Sequence, residues 1–170
     1  MKNLYLIGMM GAGKTTVGRI AAKKTHRRFI DTDAVIAEKA GKTVEAIFED
    51  EGEDGFRERE TEVLKAIAAE KNRIVACGGG VVEREENIDL LRKSGTVIWL
   101  KRDLEATLSH PRVRRRPLLR KDVRAIYPLM QRRAPLYERA CHHIVENDGD
   151  LARVVGRVLF FTKRQDKKGK

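Results

Sequence analysis

One octapeptide near the amino terminus constrains the fold more than any other feature of the chain. Residues 8–15 read GMMGAGKT and satisfy the pattern G-x-x-x-x-G-K-[ST], directly after an apolar run and directly before a helical one. Glycines let successive backbone N–H groups point inward at an anion, and the following helix adds the positive end of its dipole. The motif therefore predicts a P-loop for a nucleoside triphosphate, with Lys14 at the β- and γ-phosphates and the Thr15 hydroxyl as a Mg²⁺ ligand.

The rest of the chain alternates short apolar runs with amphipathic segments, which indicates one α/β domain over residues 1–170. The apolar runs lack the alternation of half-exposed strands, so we expect a parallel sheet with helices on both faces. Five strands are predicted, at residues 3–7, 28–31, 73–77, 96–100 and 143–145. The predicted helices cover residues 14–24, 34–39, 43–51, 53–70, 87–93, 103–109, 122–140 and 149–162.

Polar or glycine-rich residues follow each of the first three predicted strands. They are residues 8–15, the pair Asp31 and Asp33, and the triple glycine at residues 78–80. Ligands of open α/β sheets bind outside the carboxyl ends of the strands, so these segments should share one crevice. One residue separates Asp31 from Asp33 at a strand end, which predicts side chains on the same side. A carboxylate pair that caps the next helix is the alternative.

The formal net charge of +11 is concentrated in two segments. Residues 112–124 contain seven Lys or Arg against one Asp, and residues 163–170 contain five against one. The remaining body is nearly neutral, which favours a local anion site and a solubilising tail without fixed structure over a DNA-coating surface. A nucleic-acid-binding or regulatory module stays the alternative from a different functional class.

Neither a membrane nor an oxidising compartment is indicated by the sequence. No run approaches the ~20 apolar residues of a spanning helix, and the first residues lack the regions of a signal peptide. Cys77 and Cys141 have neither disulfide-framework nor zinc-site spacing. We expect a cytoplasmic monomer with no membrane or nucleic-acid partner.

Five features in fixed order resemble the shikimate kinase family across nearly the whole chain. They are GMMGAGKTT at residues 8–16, DTD at 31–33, GEDGFRERE at 52–60, GGG at 78–80, and RPLL at 116–119 with RAPLYERA at 133–140. The resemblance implies a single-domain P-loop kinase fold with an acceptor-binding helical region at about residues 33–60 and a mobile lid at about residues 109–124. It also implies phosphorylation of the 3-hydroxyl of shikimate by ATP, a step of chorismate and aromatic amino acid biosynthesis.

The resemblance assigns the site residues one by one. The acceptor would be bound by Asp33, Arg57, Gly78, Gly79, Gly80 and Arg133, and ATP by Gly11, Ala12, Gly13, Lys14, Thr15, Thr16, Arg112 and Arg116. Lys14, Asp33 and Arg116 would be catalytic, and Asp31 would hold Mg²⁺ through water beside Thr15. Bidentate arginines suit the carboxylate of the acceptor, and a carboxylate suits its hydroxyls. The sequence leaves open whether Asp33 removes the proton or orients the hydroxyl.

Three points of the resemblance stay open. Arg116 is singled out from the run Arg114 to Arg116 by its place before Pro-Leu-Leu alone, and Cys77 stands where the family more often has a hydroxyl residue. Glu60 would hold the fork of Arg57, with a surface i, i+3 ion pair as the alternative.

Another small P-loop kinase, for gluconate or a nucleoside monophosphate, is the alternative enzyme because its donor site would be the same.

Overall fold

The computed structural model describes residues 1–109, 119 and 122–168, with side chains through residue 162. Its centre is a sheet of five parallel strands: β1 Asn3–Ile7, β2 Arg28–Asp31, β3 Arg73–Ala76, β4 Gly95–Lys101 and β5 His143–Glu146. The strand order is β2-β3-β1-β4-β5, so β2 and β3 lie on one side of β1, and β4 and β5 lie on the other side. The predicted five-stranded parallel sheet is confirmed, and β1 is its middle strand.

Within the described residues, seven α-helices connect and flank the strands. They are α1 Lys14–Thr25, α2 Thr32–Ala40, α3 Val44–Ala69, α4 Glu85–Ser94, α5 Leu104–Leu108, α6 Ile126–Ala140 and α7 Leu151–Lys168. Two single 3₁₀ turns, Val81–Glu83 and Val123–Ala125, precede α4 and α6. Among the helices that the structure describes, none is long and apolar enough to cross a membrane.

The sheet separates two apolar cores because successive side chains of a strand point to opposite faces. Tyr5 and Ile7 of β1 belong to the larger core, which α2, α3, α4 and α6 cover. Leu4 and Leu6 of the same strand belong to the smaller core under α1 and α7. All of these side chains are fully buried, so the strand sequences read as continuous apolar runs rather than as alternating ones.

Most predicted boundaries agree with the structure to within a few residues, and the differences have local causes. The break expected between residues 51 and 53 lies inside α3, where Gly52 has non-helical dihedral angles of φ 70° and ψ −174°. The helix predicted from residue 122 starts as the 3₁₀ turn Val123–Ala125, which is capped by the Asp122 carboxylate accepting the Arg124 N–H. The last helix continues to Lys168, so the tail expected without structure is helical over most of its length.

Gly8, the first residue of the phosphate loop, tests how tightly β4 confines that loop. Its φ is 138°, and a Cβ at this position would overlap the carbonyl oxygen of Leu100. We expect Gly8→Ala to lower the free energy of unfolding by at least about 2 kcal/mol, measured by urea denaturation, because strain and overlap add.

Gly156 provides the matched control, since it lies inside α7 and a Cβ added there would have no described atom within 4 Å. Gly156→Ala should raise the free energy of unfolding by about 0.5–1 kcal/mol through helix propensity. Equal stability of Gly8→Ala and the unsubstituted protein would contradict this description of the loop.

Candidate active site

A cavity of about 260 Å³ opens at the carboxyl ends of β1, β2 and β3. Its size is near the lower end of small-molecule sites, about 300–1,000 Å³. Of the sequence-predicted residues that the structure describes, all but Ala12 line it: Gly11, Gly13, Lys14, Thr15, Thr16, Asp31, Asp33, Arg57, Gly78, Gly79, Gly80 and Arg133. The two predicted lid arginines, Arg112 and Arg116, lie outside the described residues. The crevice predicted from strand ends is therefore present.

The phosphate loop runs from the end of β1 into the first turn of α1. Gly13 caps the helix in the left-handed conformation, with φ 96°, and no acidic side chain occupies the first helical turn. The Lys14 ammonium donates to the carbonyl oxygens of Gly8 and Met9, at 2.8 Å each. The positive end of the helix dipole therefore faces the cavity without a side-chain anion, which suits a bound phosphate.

Thr15 and Asp31 meet at the base of the loop. The Thr15 hydroxyl donates to Oδ2 of Asp31 at 2.8 Å, and both residues line the cavity. A hydroxyl and a carboxylate oxygen are the hard ligands that Mg²⁺ prefers. The two side chains expected to hold the metal therefore fit it in chemistry and in position.

Asp33 lies in the cavity for a different reason than the sequence suggested. The alternation of a strand was expected to place Asp31 and Asp33 on one side, but β2 ends at Asp31 and Asp33 is in the first turn of α2. Asp31 Oδ1 accepts the Asp33 N–H at 3.2 Å, so Asp31 also caps the helix. The capping alternative is correct for Asp31, and it does not remove either residue from the cavity wall.

Arg57 is buried in the cavity wall between two carboxylates of its own helix. Its guanidinium donates to Glu60 at 2.9 Å and to Glu53 at 3.1 Å. The Glu60 side chain is fully buried, so the alternative of a surface ion pair is wrong. Although burial opposes the charge, Glu60 keeps the pKa of Arg57 above its usual range. Burial also raises the pKa of Glu60 from 4.5 to about 7, which Arg57 opposes and Asp33 reinforces.

The triple glycine makes room for these groups. A Cβ at Gly80 would overlap the guanidinium of Arg57, and one at Gly78 would lie 2.5 Å from Glu60 Oε1 and 2.7 Å from Asp33 Oδ1. Any side chain at either position would displace a charged group that lines the cavity. Gly78 and Gly80 are therefore required by the close approach of neighbouring side chains, beyond any backbone contact with a ligand.

Arg133 is the second buried cation of the wall, and α6 supplies it. Its Nε donates to Glu83 Oε1 at 2.6 Å, while Nη2 is buried and makes no hydrogen bond with any residue that the structure describes. Burial acts to raise the pKa of Glu83, but Arg133, together with Arg57 and Arg132, outweighs burial and holds the pKa below its usual value. One helical turn later, Tyr137 donates to the Gly79 carbonyl at 2.5 Å. Glu83 therefore holds the Nε edge of the Arg133 guanidinium.

Apolar side chains also line the cavity. Val44, Phe48 and Phe56 line it, and the rings of Phe48 and Phe56 stack with their centroids 4.6 Å apart. Phe56 also belongs to the larger core, so it contributes both to packing and to the wall. Cys77 lines the floor as a buried thiol whose pKa is raised by burial. The wall combines flat apolar surface with fixed charges.

Sequence reasoning missed four residues that shape the site. Glu83 holds Arg133, Tyr137 binds Gly79, and Arg102 and Asn147 donate to carbonyls of the phosphate loop. Tyr137 follows Arg133 by one helical turn, which was a usable signal. Glu83, Arg102 and Asn147 come after three different strands, β3, β4 and β5. Nothing in the local sequence marks them as site residues.

Comparisons with known proteins agree on one family. The family model described as shikimate kinase matches residues 10–162. A shikimate kinase from Clostridium botulinum is 44% identical over 159 residues, covering 93% of this chain and 96% of the relative. A shikimate kinase from Vibrio parahaemolyticus is 40% identical over 161 residues, covering 93% and 94%.

Solved structures extend this similarity to the fold. Shikimate kinase from Acinetobacter baumannii in complex with shikimate superposes with a TM-score of 0.92 at 38% identity, covering 97% of this chain and 94% of that one. A gluconokinase from Sinorhizobium meliloti gives a TM-score of 0.63 at 16% identity, covering 98% and 94%. The second likeness is one of fold alone.

Glu60 provides a pH test of the buried cluster. Its pKa is higher in the folded chain than the ordinary 4.5, so between about pH 5 and pH 7 the native state binds the proton more tightly than the unfolded state. This contribution to stability is complete below pH 4.5 and is lost as the pH rises through 7. Relative to Glu60→Gln, the unsubstituted protein should lose at most about 1.4 kcal/mol of unfolding free energy per pH unit in that range, measured by urea titrations.

The matched control is Glu53→Gln. Glu53 is the other carboxylate partner of Arg57, and the Glu53 side chain is 39% exposed, so this variant loses an ion pair without losing a buried acid. If the stability difference between Glu60→Gln and the unsubstituted protein is independent of pH from about 5 to about 7, the buried-acid description of Glu60 is wrong.

Proposed function

The chain belongs to the shikimate kinase family, and we propose that it transfers the γ-phosphoryl group of ATP to the 3-hydroxyl of shikimate in the cavity described above. The products are shikimate 3-phosphate and ADP, a step toward chorismate and the aromatic amino acids. One observation carries the assignment to this cavity: the buried cations Arg57 and Arg133 line the same space as the phosphate loop. An acid held by the arginines would present its alcohol to a phosphate held by the loop.

The acceptor carboxylate would bind at Arg133 and Arg57. Arg133 Nη2 is buried at the cavity wall without a hydrogen-bond partner among the described residues, and a buried donor in that state gains strongly from an anionic acceptor. Glu83 occupies the Nε side of the guanidinium, so the carboxylate would meet its other nitrogens. The stacked rings of Phe48 and Phe56 would cover one face of the cyclohexene ring.

Asp33 would bind the reacting hydroxyl. It lines the cavity together with Asp31, and its Oδ1 is close to Gly78. The transition state of phosphoryl transfer is loose, so a carboxylate that orients the hydroxyl contributes even where the proton leaves late. We therefore assign Asp33 the task of orienting the alcohol and of accepting its proton as the new P–O bond forms.

The donor triphosphate would bind along the loop amides at residues 11–16 and the amino end of α1. Lys14 donates to loop carbonyls and would exchange these contacts for the β- and γ-phosphates. Thr15 and Asp31 would hold Mg²⁺, Asp31 through water. When bound, the metal neutralises charge on the β- and γ-phosphate oxygens. Lys14 adds a fixed positive charge on the side of the transferred group.

The lid assignments complete the proposal. Arg116 would neutralise charge on the transferring group, and Arg112 would contact the nucleotide, both from the segment at residues 109–124. Closure of such a segment excludes water and prevents hydrolysis of ATP. The cytoplasmic location and the monomeric state also stay predictions.

A coupled ADP-release assay over a panel of acceptors tests the proposal. We expect Mg²⁺-dependent turnover of shikimate at about 1–100 s⁻¹, with kcat/KM for gluconate and for nucleoside monophosphates lower by at least about 100-fold. Chelation of Mg²⁺ should abolish turnover. Faster turnover of gluconate or a nucleotide would replace shikimate with the alternative kinase function, and nucleic-acid binding without acceptor-dependent ADP release would exclude both.

Arg57→Ala extends the assay to the site. The KM for shikimate should rise about 30-fold or more, because a desolvated charge pair contributes about 2–5 kcal/mol, while the KM for ATP should change less than about twofold. Arg59→Ala is the matched control: Arg59 lies on the same helix, pairs with Glu51 on the surface and does not line the cavity. An unchanged KM for shikimate in Arg57→Ala would remove Arg57 from the acceptor site.

A further inference from the structure

Arg102 is a cationic side chain of the cavity that neither the sequence nor the proposed reaction accounts for. It directly follows β4, which ends at Lys101 and pairs with β1. This pairing places Arg102 beside the loop that continues from β1. The side chain is half-buried, lines the cavity, and donates from Nη1 to the carbonyl oxygen of Gly11 at 3.2 Å.

The contact with Gly11 bears on how the loop binds an anion. Loop amides can point at a phosphate only if the carbonyls of the same segment point elsewhere, and those carbonyls need donors of their own. Lys14 binds the carbonyls of Gly8 and Met9, Arg102 binds that of Gly11, and Asn147 binds that of Ala12 at 2.8 Å. Side chains thus bind four of the loop carbonyls from residue 8 to residue 12.

The donors differ in what they can do once a nucleotide binds. Lys14 is the residue proposed to reach the phosphates, so its carbonyl contacts compete with that task. Asn147 is neutral, and the Nδ2 atom that binds Ala12 would lie 2.7 Å from a Cβ at Gly13, behind the loop. Arg102 has neither limitation: it keeps its charge, lines the cavity, and uses Nη1 in the Gly11 contact.

The position of the charge separates Arg102 from the acceptor arginines. Arg57 and Arg133 lie against the triple glycine, at Gly80 and Gly79, whereas Arg102 lies against the phosphate loop. An anion held by the loop amides is therefore close to Arg102, which binds a carbonyl of that same loop. We therefore expect substitution of Arg102 to change the affinity for the nucleotide and to leave the affinity for shikimate nearly unchanged.

We propose that Arg102 is a positioning residue of the nucleotide site, which holds the Gly11 carbonyl outward and adds a positive charge beside the bound triphosphate. The inference rests on the proposed function only in taking the donor to be a nucleoside triphosphate. It assigns to the end of β4 a share of nucleotide affinity that the loop motif alone does not provide.

Calorimetric binding of MgATP, and separately of shikimate, tests the inference. Arg102→Met should weaken MgATP binding about tenfold or more and flatten the dependence of its Kd on salt, because a charge near the ligand is lost. Binding of shikimate should change less than about twofold. Arg102→Lys restores the charge without the fork, so its salt dependence should equal that of the unsubstituted protein.

Two further variants separate charge from loop geometry. Asn147→Ala removes a carbonyl donor but no charge, so it should weaken MgATP binding while leaving the salt dependence unchanged. Arg92→Met is the matched control, since Arg92 also donates to backbone carbonyls, including that of Arg139 at 2.9 Å, but does not line the cavity. It should bind MgATP as the unsubstituted protein does.

Three results would overturn the inference. They are MgATP affinity in Arg102→Met within about twofold of the unsubstituted protein, an equal loss of MgATP and shikimate binding, and an equal loss of MgATP binding in Arg92→Met. Should Arg102→Met not fold, a flattened salt dependence in Arg102→Lys would overturn it as well. None of these results depends on turnover: absence of shikimate turnover in the unsubstituted protein would instead refute the proposed function.

Discussion

Two buried guanidinium groups impose the constraint on which the rest of the proposed acceptor site depends. Burying an isolated charge costs several kcal/mol, and both Arg57 and Arg133 are almost fully buried in the cavity wall. Each is therefore held by a carboxylate, Glu60 for Arg57 and Glu83 for Arg133. The absence of a side chain at Gly80 leaves the space that the Arg57 guanidinium occupies. The site thus places fixed positive charge where an acid can reach it.

The proposed donor side of the cavity combines backbone amides with the cationic side chains of Lys14 and Arg102. The loop amides and the amino end of α1 would form the anion site, and side chains that belong to α1 or follow β4 and β5 bind carbonyls of the same loop. Because β1 is the middle strand, its carboxyl end lies between β3 and β4. The same sheet therefore brings the triple glycine after β3 and Arg102 after β4 to the two sides of the loop.

Much of this arrangement could be predicted from the sequence, for identifiable reasons. The glycine spacing of residues 8–15 is local, and the placement of polar segments after apolar strands is a property of parallel sheets, so the crevice and most of its lining were predictable. Gly52 marked the break in α3 because glycine tolerates its dihedral angles. In contrast, Asp33 reached the cavity through the first turn of α2, since Asp31 ends β2 and caps the helix.

The remaining parts could not be predicted because they depend on strand order and on burial. Arg102 and Asn147 contact the loop only because β4 lies next to β1 and β5 next to β4, and no local pattern encodes that order. Glu83 meets Arg133 across 50 residues of chain. The i, i+3 spacing of Arg57 and Glu60 indicated an ion pair. Whether that pair is buried depends on how α3 packs in the larger core, which the spacing does not show.

The central claim is that buried guanidinium groups recognise the carboxylate of the acceptor. The most direct measurement compares Kd for shikimate with Kd for its uncharged carboxamide, in the unsubstituted protein and in Arg133→Met. We predict a preference for the acid of about 30-fold or more in the unsubstituted protein and loss of most of that preference in Arg133→Met, because the charge-assisted contact contributes about 2–5 kcal/mol. An equal preference for the acid in both proteins would contradict the claim.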